Sequence, residues 1–183
     1  SSAGQTTCDV CLPGTADIDS DPATPCVACE PGYYAPAEAV ACVQCPAGYI
    51  DHDVDPATPC NSTDLHLCPA GSYAAAGSTE CVDCAPGYAD EDSNPSTPCS
   101  QCTAGHEQVA AGETSCLACG GGTADVDLDA STACEECAAG TFAPQGGVVC
   151  TICVPGQADV DTSAITPCEV CSSGRYSSVE AST

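Results

Sequence analysis

The amino-acid sequence predicts a small disulfide-rich fold. We expect an elongated, solenoid-like rod of tandem β-hairpin loops, each closed by a disulfide, with little regular secondary structure and almost no helix. Twenty of the 183 residues are cysteines, whereas Leu, Ile, Val and Phe together number only 24. That apolar content is too small for an ordinary hydrophobic core, so covalent cross-links must replace it. The 17 glycines and 15 prolines also work against any helix longer than one turn.

The cysteines recur as pairs in the pattern Cys-x-x-Cys-x-x-Gly. One pair departs from it, because seven residues separate Cys60 from Cys68 where the other pairs have two. A glycine at a fixed offset predicts a tight turn that needs positive φ or a close approach of the backbone. The pairs begin at Cys8, Cys26, Cys42, Cys60, Cys81, Cys99, Cys116, Cys134, Cys150 and Cys168.

Segments of 14 residues alternate between pairs with segments of 12 or 13, so the repeating unit holds four cysteines. We call the first kind long loops and the second kind short loops. Residues 1–7 align with residues 177–183, which predicts that the chain is a segment of a longer array. The predicted organisation is the end of a preceding repeat at 1–7, then repeats at 8–41, 42–80 with an insert at 61–67, 81–115, 116–149 and 150–183.

Two chemistries fit paired cysteines at this spacing, namely disulfides and tetrahedral zinc. The formal net charge is −25 and the only basic residue is Arg175, so four thiolates on each zinc would add negative charge to units that are already acidic. The sequon Asn61-Ser62-Thr63 points to the secretory pathway, where disulfides form. Disulfides are therefore favoured, and structural zinc is the alternative.

The insert between Cys60 and Cys68 indicates how the cysteines pair. It lengthens the joint between two segments that keep their 14 and 12 residues, as expected if those segments are closed loops. Bonds within each Cys-x-x-Cys would form small rings that are usually redox-active. A crossed pairing, first to third and second to fourth, remains open. The favoured sequential ladder is Cys11–Cys26, Cys29–Cys42, Cys45–Cys60, Cys68–Cys81, Cys84–Cys99, Cys102–Cys116, Cys119–Cys134, Cys137–Cys150 and Cys153–Cys168, with Cys8 and Cys171 paired outside this segment.

The motif C-x2-C-[PA]-[PA]-G-[TY], followed by a short loop rich in Ser, Thr and Ala, resembles the ephrin-receptor-like cysteine-rich repeat. It is related in style to tumour-necrosis-factor-receptor modules. Residues 16–26, ADIDSDPATPC, are similar to repeats in large surface proteins of ciliates, algae and other protists. The resemblance covers the whole chain and implies an extended, disulfide-laddered extracellular stalk or coat.

Acidic residues recur at every second position of the long loops. Alternation predicts that they share one face of an extended segment, opposite Ile18, Val54, Val126 and Val160. Such a face either binds Ca²⁺ through clustered carboxylates or is a solvated surface that keeps filaments soluble and apart. No other cofactor is expected. The candidate Ca²⁺ ligands are Asp17, Asp19, Asp21, Asp51, Asp53, Asp55, Asp125, Asp127 and Asp129.

Asn61 lies in the insert and is the predicted site of an N-linked glycan. Thr-Pro recurs just before the cysteine that ends a long loop, where the threonine either carries an O-linked glycan or shapes a turn. These candidate O-glycosylation sites are Thr24, Thr58, Thr97 and Thr166.

The charge makes nucleic acid and anionic membrane poor partners, and no apolar run is long enough for direct membrane insertion. His52, His66 and His106 share no spacing, so no catalytic constellation is predicted and the chain is not expected to be an enzyme. The first hypothesis is a structural extracellular glycoprotein, secreted or at the cell surface: a repeat segment of a coat, hair or filament. Its expected partners are glycans and copies of itself in a fibre or surface array. The alternatives are a spacer of an adhesion or receptor ectodomain and a metal-storing or Ca²⁺-responsive extracellular protein.

Overall fold

The computed structural model describes residues 7–60 and 67–178. Within these residues there is no helix, and every strand is two residues long. Strands stay short because each begins just after a turn glycine or lies between two cysteines. The strands are β1 (Thr15–Ala16), β2 (Val27–Ala28), β3 (Tyr33–Tyr34), β4 (Val43–Gln44), β5 (Ser72–Tyr73), β6 (Val82–Asp83), β7 (Tyr88–Ala89), β8 (Ser100–Gln101), β9 (His106–Glu107), β10 (Leu117–Ala118), β11 (Thr123–Ala124), β12 (Glu135–Glu136), β13 (Thr141–Phe142), β14 (Thr151–Ile152), β15 (Gln157–Ala158) and β16 (Glu169–Val170).

Consecutive strands pair as antiparallel hairpins, β1 with β2 and so on to β15 with β16. The return strand of each hairpin consists of the two residues between the cysteines of the next pair. In the first hairpin Thr15 lies opposite Ala28. In the second long loop the hairpin is reduced to a single bridge between Tyr49 and Leu67, which is where the insert interrupts the return strand. The predicted tandem hairpin architecture is therefore confirmed.

Disulfides close the loops by joining the second cysteine of one pair to the first cysteine of the next. The Cα–Cα distances are 5.5 to 5.7 Å. This is the sequential pairing and not the crossed one, and it leaves the cysteines concerned without the thiolates that zinc would need. Cys84 and Cys99 are disulfide-bonded as well, whereas Cys8 and Cys171 are free thiols. The bonds are Cys11–Cys26, Cys29–Cys42, Cys45–Cys60, Cys68–Cys81, Cys102–Cys116, Cys119–Cys134, Cys137–Cys150 and Cys153–Cys168.

The chain divides into two compact units, residues 1–83 with 92–99 and residues 84–91 with 100–183. In the described part of both units the buried apolar residues are cysteines and alanines, and the larger aliphatic side chains other than the half-buried Ile50 are exposed. Ala16, Cys29 and Ala35 form a buried cluster in the first unit, beside the partly buried Tyr33. Small side chains at these positions allow the backbones of neighbouring loops to come close, which a Val or Leu would prevent.

Within each unit, long loops stack on long loops and short loops on short loops. Gly14 in the first long loop lies against Pro56 in the second, and Gly32 in the first short loop lies against Gly77 in the second. Gly32 has a φ of +82°, and a Cβ at this position would overlap the carbonyl oxygen of Gly77. The turn glycine therefore meets both a backbone requirement and a steric one. Equivalent contacts join Gly48 to Ser96, Gly87 to Ser131, Gly105 to Gly146 and Gly122 to Ile165.

Candidate functional site in the contacts between loops

In the first four short loops, one residue links two long loops through its main chain. The carbonyl of Ala35 accepts the N–H of Gly14 at 2.8 Å, and the N–H of Ala35 donates to the carbonyl of Pro56 at 2.9 Å. The Ala35 side chain is fully buried, so this pair of hydrogen bonds is shielded from water. Satisfied backbone groups of this kind replace the missing apolar core as the source of order. The same two bonds are made by Ala74, Gln108 and Ala143.

The first acid of a long loop makes a second link, through its side chain. Asp51 is only 3% exposed, and its Oδ2 accepts the N–H of the turn residue Gly32 at 2.9 Å. A buried carboxylate is costly unless it is hydrogen-bonded, and the glycine N–H supplies the bond. Each bond ties a short loop to the long loop that follows it. The same bond joins Gly105 to Asp125 at 2.9 Å and Gly140 to Asp159 at 3.2 Å.

The second and third acids stay exposed and hold the turn that precedes the cysteine. In the first long loop, Asp19 accepts hydrogen bonds from the N–H of Asp21 at 3.0 Å and the hydroxyl of Thr24 at 2.9 Å. Asp21 in turn accepts the N–H of Ala23 at 2.9 Å. The bond from the Asp21 N–H, followed by that from Thr24, lowers the pKa of Asp19.

The same turn chemistry acts in the fourth and fifth long loops. The N–H of Ser163 and then the hydroxyl of Thr166 lower the pKa of Asp161. The hydroxyl of Ser131 and then its N–H lower the pKa of Asp129. In both loops an exposed carboxylate is kept charged by donors from its own turn.

The prediction that the acids share one face of an extended segment is wrong. The residue after the second acid has positive φ, as in Val54 at 54° and Leu128 at 59°, so the chain turns there. The first acid consequently lies in the contact with the preceding short loop, whereas the later acids face their own turn. Ile18, Val126 and Val160 are exposed.

Eight of the nine proposed Ca²⁺ ligands already accept hydrogen bonds within the protein. Asp53 and Asp127 accept the hydroxyls of Thr58 and Thr132, both at 3.0 Å. Among residues 7–60 and 67–178, no three His, Cys, Asp or Glu side chains lie together as a group that could hold a metal ion. The structure thus does not assemble the nine aspartates into a site, and Ca²⁺ binding stays a prediction.

The candidate O-glycosylation sites occupy one equivalent position in the turns. Each threonine hydroxyl donates to the carboxylate of the second acid, at 2.9 to 3.0 Å. Thr132 makes the same bond although Ala133 follows it, so a search for Thr-Pro misses this residue. The geometry gives these threonines a role in shaping the turn, and O-glycosylation of Thr24, Thr58, Thr97 and Thr166 stays a prediction. The predicted N-glycosylation site, Asn61, lies outside the described residues.

Glu107 occupies the position at which the other short loops carry an aromatic residue. Its Oε2 accepts the N–H of Cys134, at the end of the next long loop, at 2.6 Å. Tyr34 and Tyr73 are partly buried at the equivalent position, and Tyr176 is 85% exposed. The exception in the sequence pattern is therefore a polar link between loops.

The three histidines lie in different segments of the repeat, His52 in a long loop, His66 in the insert and His106 in a short loop. His106 makes a local contact of 3.2 Å to the Thr103 hydroxyl, and His66 lies outside the described residues. None of the described residues belongs to a helix of the length and apolar character needed to cross a membrane. A dense disulfide ladder of this kind is typical of secreted or extracellular structural repeats. Neither any protein-family model nor any curated protein matches the chain.

Proposed function

We propose that the chain is a structural segment of an extracellular glycoprotein, a repeat portion of a surface coat, hair or filament. The observation that carries the proposal is that two kinds of bond, disulfides and backbone hydrogen bonds, hold the loops. Each loop closed by a disulfide is also bonded to its neighbours through backbone hydrogen bonds, as at Ala35. The repeats resemble those of ephrin-receptor-like and protist surface proteins, which supports the same role.

This bonding suits a load-bearing role because each loop is stabilised by its own disulfide and by its contacts with adjacent loops. Closing a loop of 12 to 14 residues contributes about 3 kcal/mol in the chain-entropy account of disulfides. The loop contacts among the described residues join adjacent repeats, so stability is approximately a sum of repeat and interface contributions. A chain of this kind withstands damage to one loop without unfolding elsewhere.

The acidic surface supports an extracellular, assembled role. A net charge of −25 disfavours unspecific association and leaves assembly to contacts of matched geometry. A glycan at Asn61 would enlarge the insert and add a hydrated group to the surface. We accordingly propose copies of the chain and glycans as its partners, and attachment to the cell surface as part of the same assembly.

Immunogold electron microscopy of the producing cell, with an antibody raised against this chain, tests the proposal. We expect label on external fibres or a coat, at a regular spacing. Label on dispersed single stalks would instead support the spacer of an adhesion or receptor ectodomain, and intracellular label would refute both. Peptide mapping under non-reducing conditions adds a chemical check, since a secreted glycoprotein should show the disulfide ladder and a glycan on Asn61.

A further inference from the structure

A groove in the second compact unit lies between the third and fourth long loops and has a volume of about 420 Å³. It is lined by Tyr88 of β7 and by Gln101 of β8, which lies directly opposite Tyr88 in the hairpin. Leu128 and Asp129, in the closing turn of the fourth long loop, also line it. All four side chains are exposed. The volume is within the range of about 300–1,000 Å³ that is usual for ligand sites. We call these four residues the Tyr88 groove.

The groove is open because the two long loops approach each other less closely than their counterparts do. A Cβ on Gly87 would lie 3.4 Å from the nearest described atom, the N of Ser131. At the joint between the first and second long loops, a Cβ on Gly14 would lie 3.2 Å from the ring of Pro56. Ala130 occupies the position of Pro56 in the fourth long loop, so no proline ring fills the space.

The backbone of the repeat does not require the side chains that line the groove. Thr15 and Thr123 occupy the position of Tyr88 in two other hairpins, and Ala28 occupies the position of Gln101 in the first. The same two-residue strands form with these different residues. The aromatic ring and the amide are therefore additions to a shared framework.

The polar groups of the groove are only partly used by the fold. The Oδ1 of Asp129 accepts the N–H of Ser131 at 3.0 Å and its hydroxyl at 2.7 Å, and these bonds lower the pKa of Asp129 and keep it charged. In the part of the chain that the structure describes, no donor reaches Oδ2 of Asp129. The side-chain amide of Gln101 and the hydroxyl of Tyr88 likewise have no hydrogen-bond partner among residues 7–60 and 67–178.

The charge of the groove selects a cation. Its charged side chains are both acidic: Asp125 is buried and already bonded to the N–H of Gly105, whereas Asp129 is exposed. A net charge of −25 attracts cations to the surface and repels anions. An aromatic ring beside a carboxylate is favourable for a guanidinium, which stacks on the ring and donates N–H groups to the carboxylate. An ammonium lacks the planar shape that allows both contacts at once.

We propose that the Tyr88 groove binds an arginine side chain of a basic protein or peptide. The guanidinium stacks on Tyr88 and donates to Oδ2 of Asp129, and the amide oxygen of Gln101 accepts a further N–H. Leu128 packs against the methylene groups of the arginine. The inference adds a partner to the proposed structural function and does not depend on it, because the groove lies within one compact unit.

A titration followed by NMR tests the recognition of arginine. The probe is a glycine pentapeptide with one central arginine, and its control carries citrulline, which has the same shape without the charge. In about 0.15 M salt, which screens charge beyond about 8 Å, the Tyr88 ring and the Gln101 side-chain amide should shift with saturation. The citrulline peptide should bind at least about tenfold more weakly, a difference of about 1.4 kcal/mol. Equal binding of the two peptides would overturn the proposal. So would shifts produced by maltotriose and not by the arginine peptide, since the groove would then be a neutral sugar site.

Two matched variants separate the groove from general attraction to an acidic chain. Asp129→Asn and Asp55→Asn each remove one charge at the same position of a long loop. Asparagine is compatible with this turn, because the native Asn94 accepts the N–H of Ser96 at 3.1 Å there. Asp129→Asn should weaken binding of the arginine peptide about fivefold or more, and Asp55→Asn should change it by less than about twofold. Equal weakening by both variants would mean that the peptide responds only to net charge, and the proposal would fail.

A second pair of variants tests the aromatic ring. Tyr88→Thr introduces the residue that Thr15 and Thr123 provide in other hairpins, so the fold should be retained. It should weaken binding about threefold or more, since the cation loses its contact with the ring. Tyr49→Thr, the same change at the equivalent position of the second long loop, should leave binding within about twofold. Unchanged binding by the Tyr88→Thr variant would exclude the ring from the site and refute the proposed geometry.

Discussion

Replacing Gly32 with alanine tests whether the stacking of loops stabilises the fold, and Gly156→Ala is its matched control. Both glycines have positive φ, +82° and +88°, so both variants place an alanine in the left-handed region. Only the Gly32 variant also places its Cβ on the backbone of Gly77, since no described atom lies within 4 Å of a Cβ on Gly156. The difference between the two variants isolates the steric contribution of stacking.

The magnitudes follow from these two contributions. The left-handed conformation costs an alanine about 1–2 kcal/mol in either variant. Overpacking against a neighbour that cannot move aside adds about 1–3 kcal/mol, and Gly77 meets the new methyl group with backbone atoms rather than a flexible side chain. Gly32→Ala should therefore lower the free energy of local opening by about 2–5 kcal/mol and Gly156→Ala by about 1–2 kcal/mol.

Amide hydrogen exchange followed by NMR measures both effects with equivalent probes. The N–H of Cys45 donates to the carbonyl of Gly32, and the N–H of Cys171 donates to that of Gly156, both at 2.9 Å. Exchange of each amide in its own variant, relative to the parent chain, gives the change in opening free energy. Equal losses in the two variants would refute the reasoning, because conformation alone would then explain the requirement for glycine.

Three further predictions concern the turn at Asp161, the hydrogen bond accepted by Glu107 and the disulfide between Cys102 and Cys116. Asp161 has a lowered pKa in the folded chain, so its ionised carboxylate stabilises the turn above the ordinary Asp pKa of about 4. This stabilisation is lost as the pH falls through the lowered pKa of the folded state. Thr166→Val should raise the pKa of Asp161 in a carboxyl NMR titration, and an unchanged pKa would contradict the assigned cause. Glu107→Ala leaves the N–H of Cys134 without its acceptor and should lower the free energy of opening of that amide in hydrogen exchange by about 1–3 kcal/mol, whereas Glu107→Gln keeps an acceptor oxygen and should recover most of it. Replacing Cys102 and Cys116 together by serine should destabilise their loop by about 3 kcal/mol, and hydrogen exchange that rises throughout the chain rather than in residues 102–116 and their direct neighbours would contradict a ladder of independent closures.

The disulfide pairing and the hairpins were predictable because both follow from the lengths of segments and the spacing of residues along the chain. A closed loop resists a change of length, so the insert after Cys60 identifies where loops end. The turn glycines are likewise visible at a fixed distance from a cysteine. In both cases the pattern can be recognised within one loop and its flanking cysteines, without knowledge of which loops are neighbours in space.

The roles of the acids were not predictable in the same way. A buried acceptor such as Asp51 and an exposed one such as Asp53 have the same residue type and the same alternating pattern. They differ only in the partner from another loop, Gly32, which is 19 residues away in the sequence. The role of Ala35 and its equivalents was not predictable either, because these residues differ in type and act through the two long loops that each of them joins.

The stacking of long loops on long loops and short loops on short loops restricts how such a chain can change length during evolution. Losing a single loop would bring short loops over long ones, and every later glycine would face an unsuitable partner. Duplication or deletion is therefore tolerated only in steps of two loops, with the four cysteines that belong to them. Recombination between misaligned copies of the gene meets this condition automatically when it joins equivalent positions of two repeats. The mutational process that lengthens a repetitive gene thus yields the steps that the loop contacts accept.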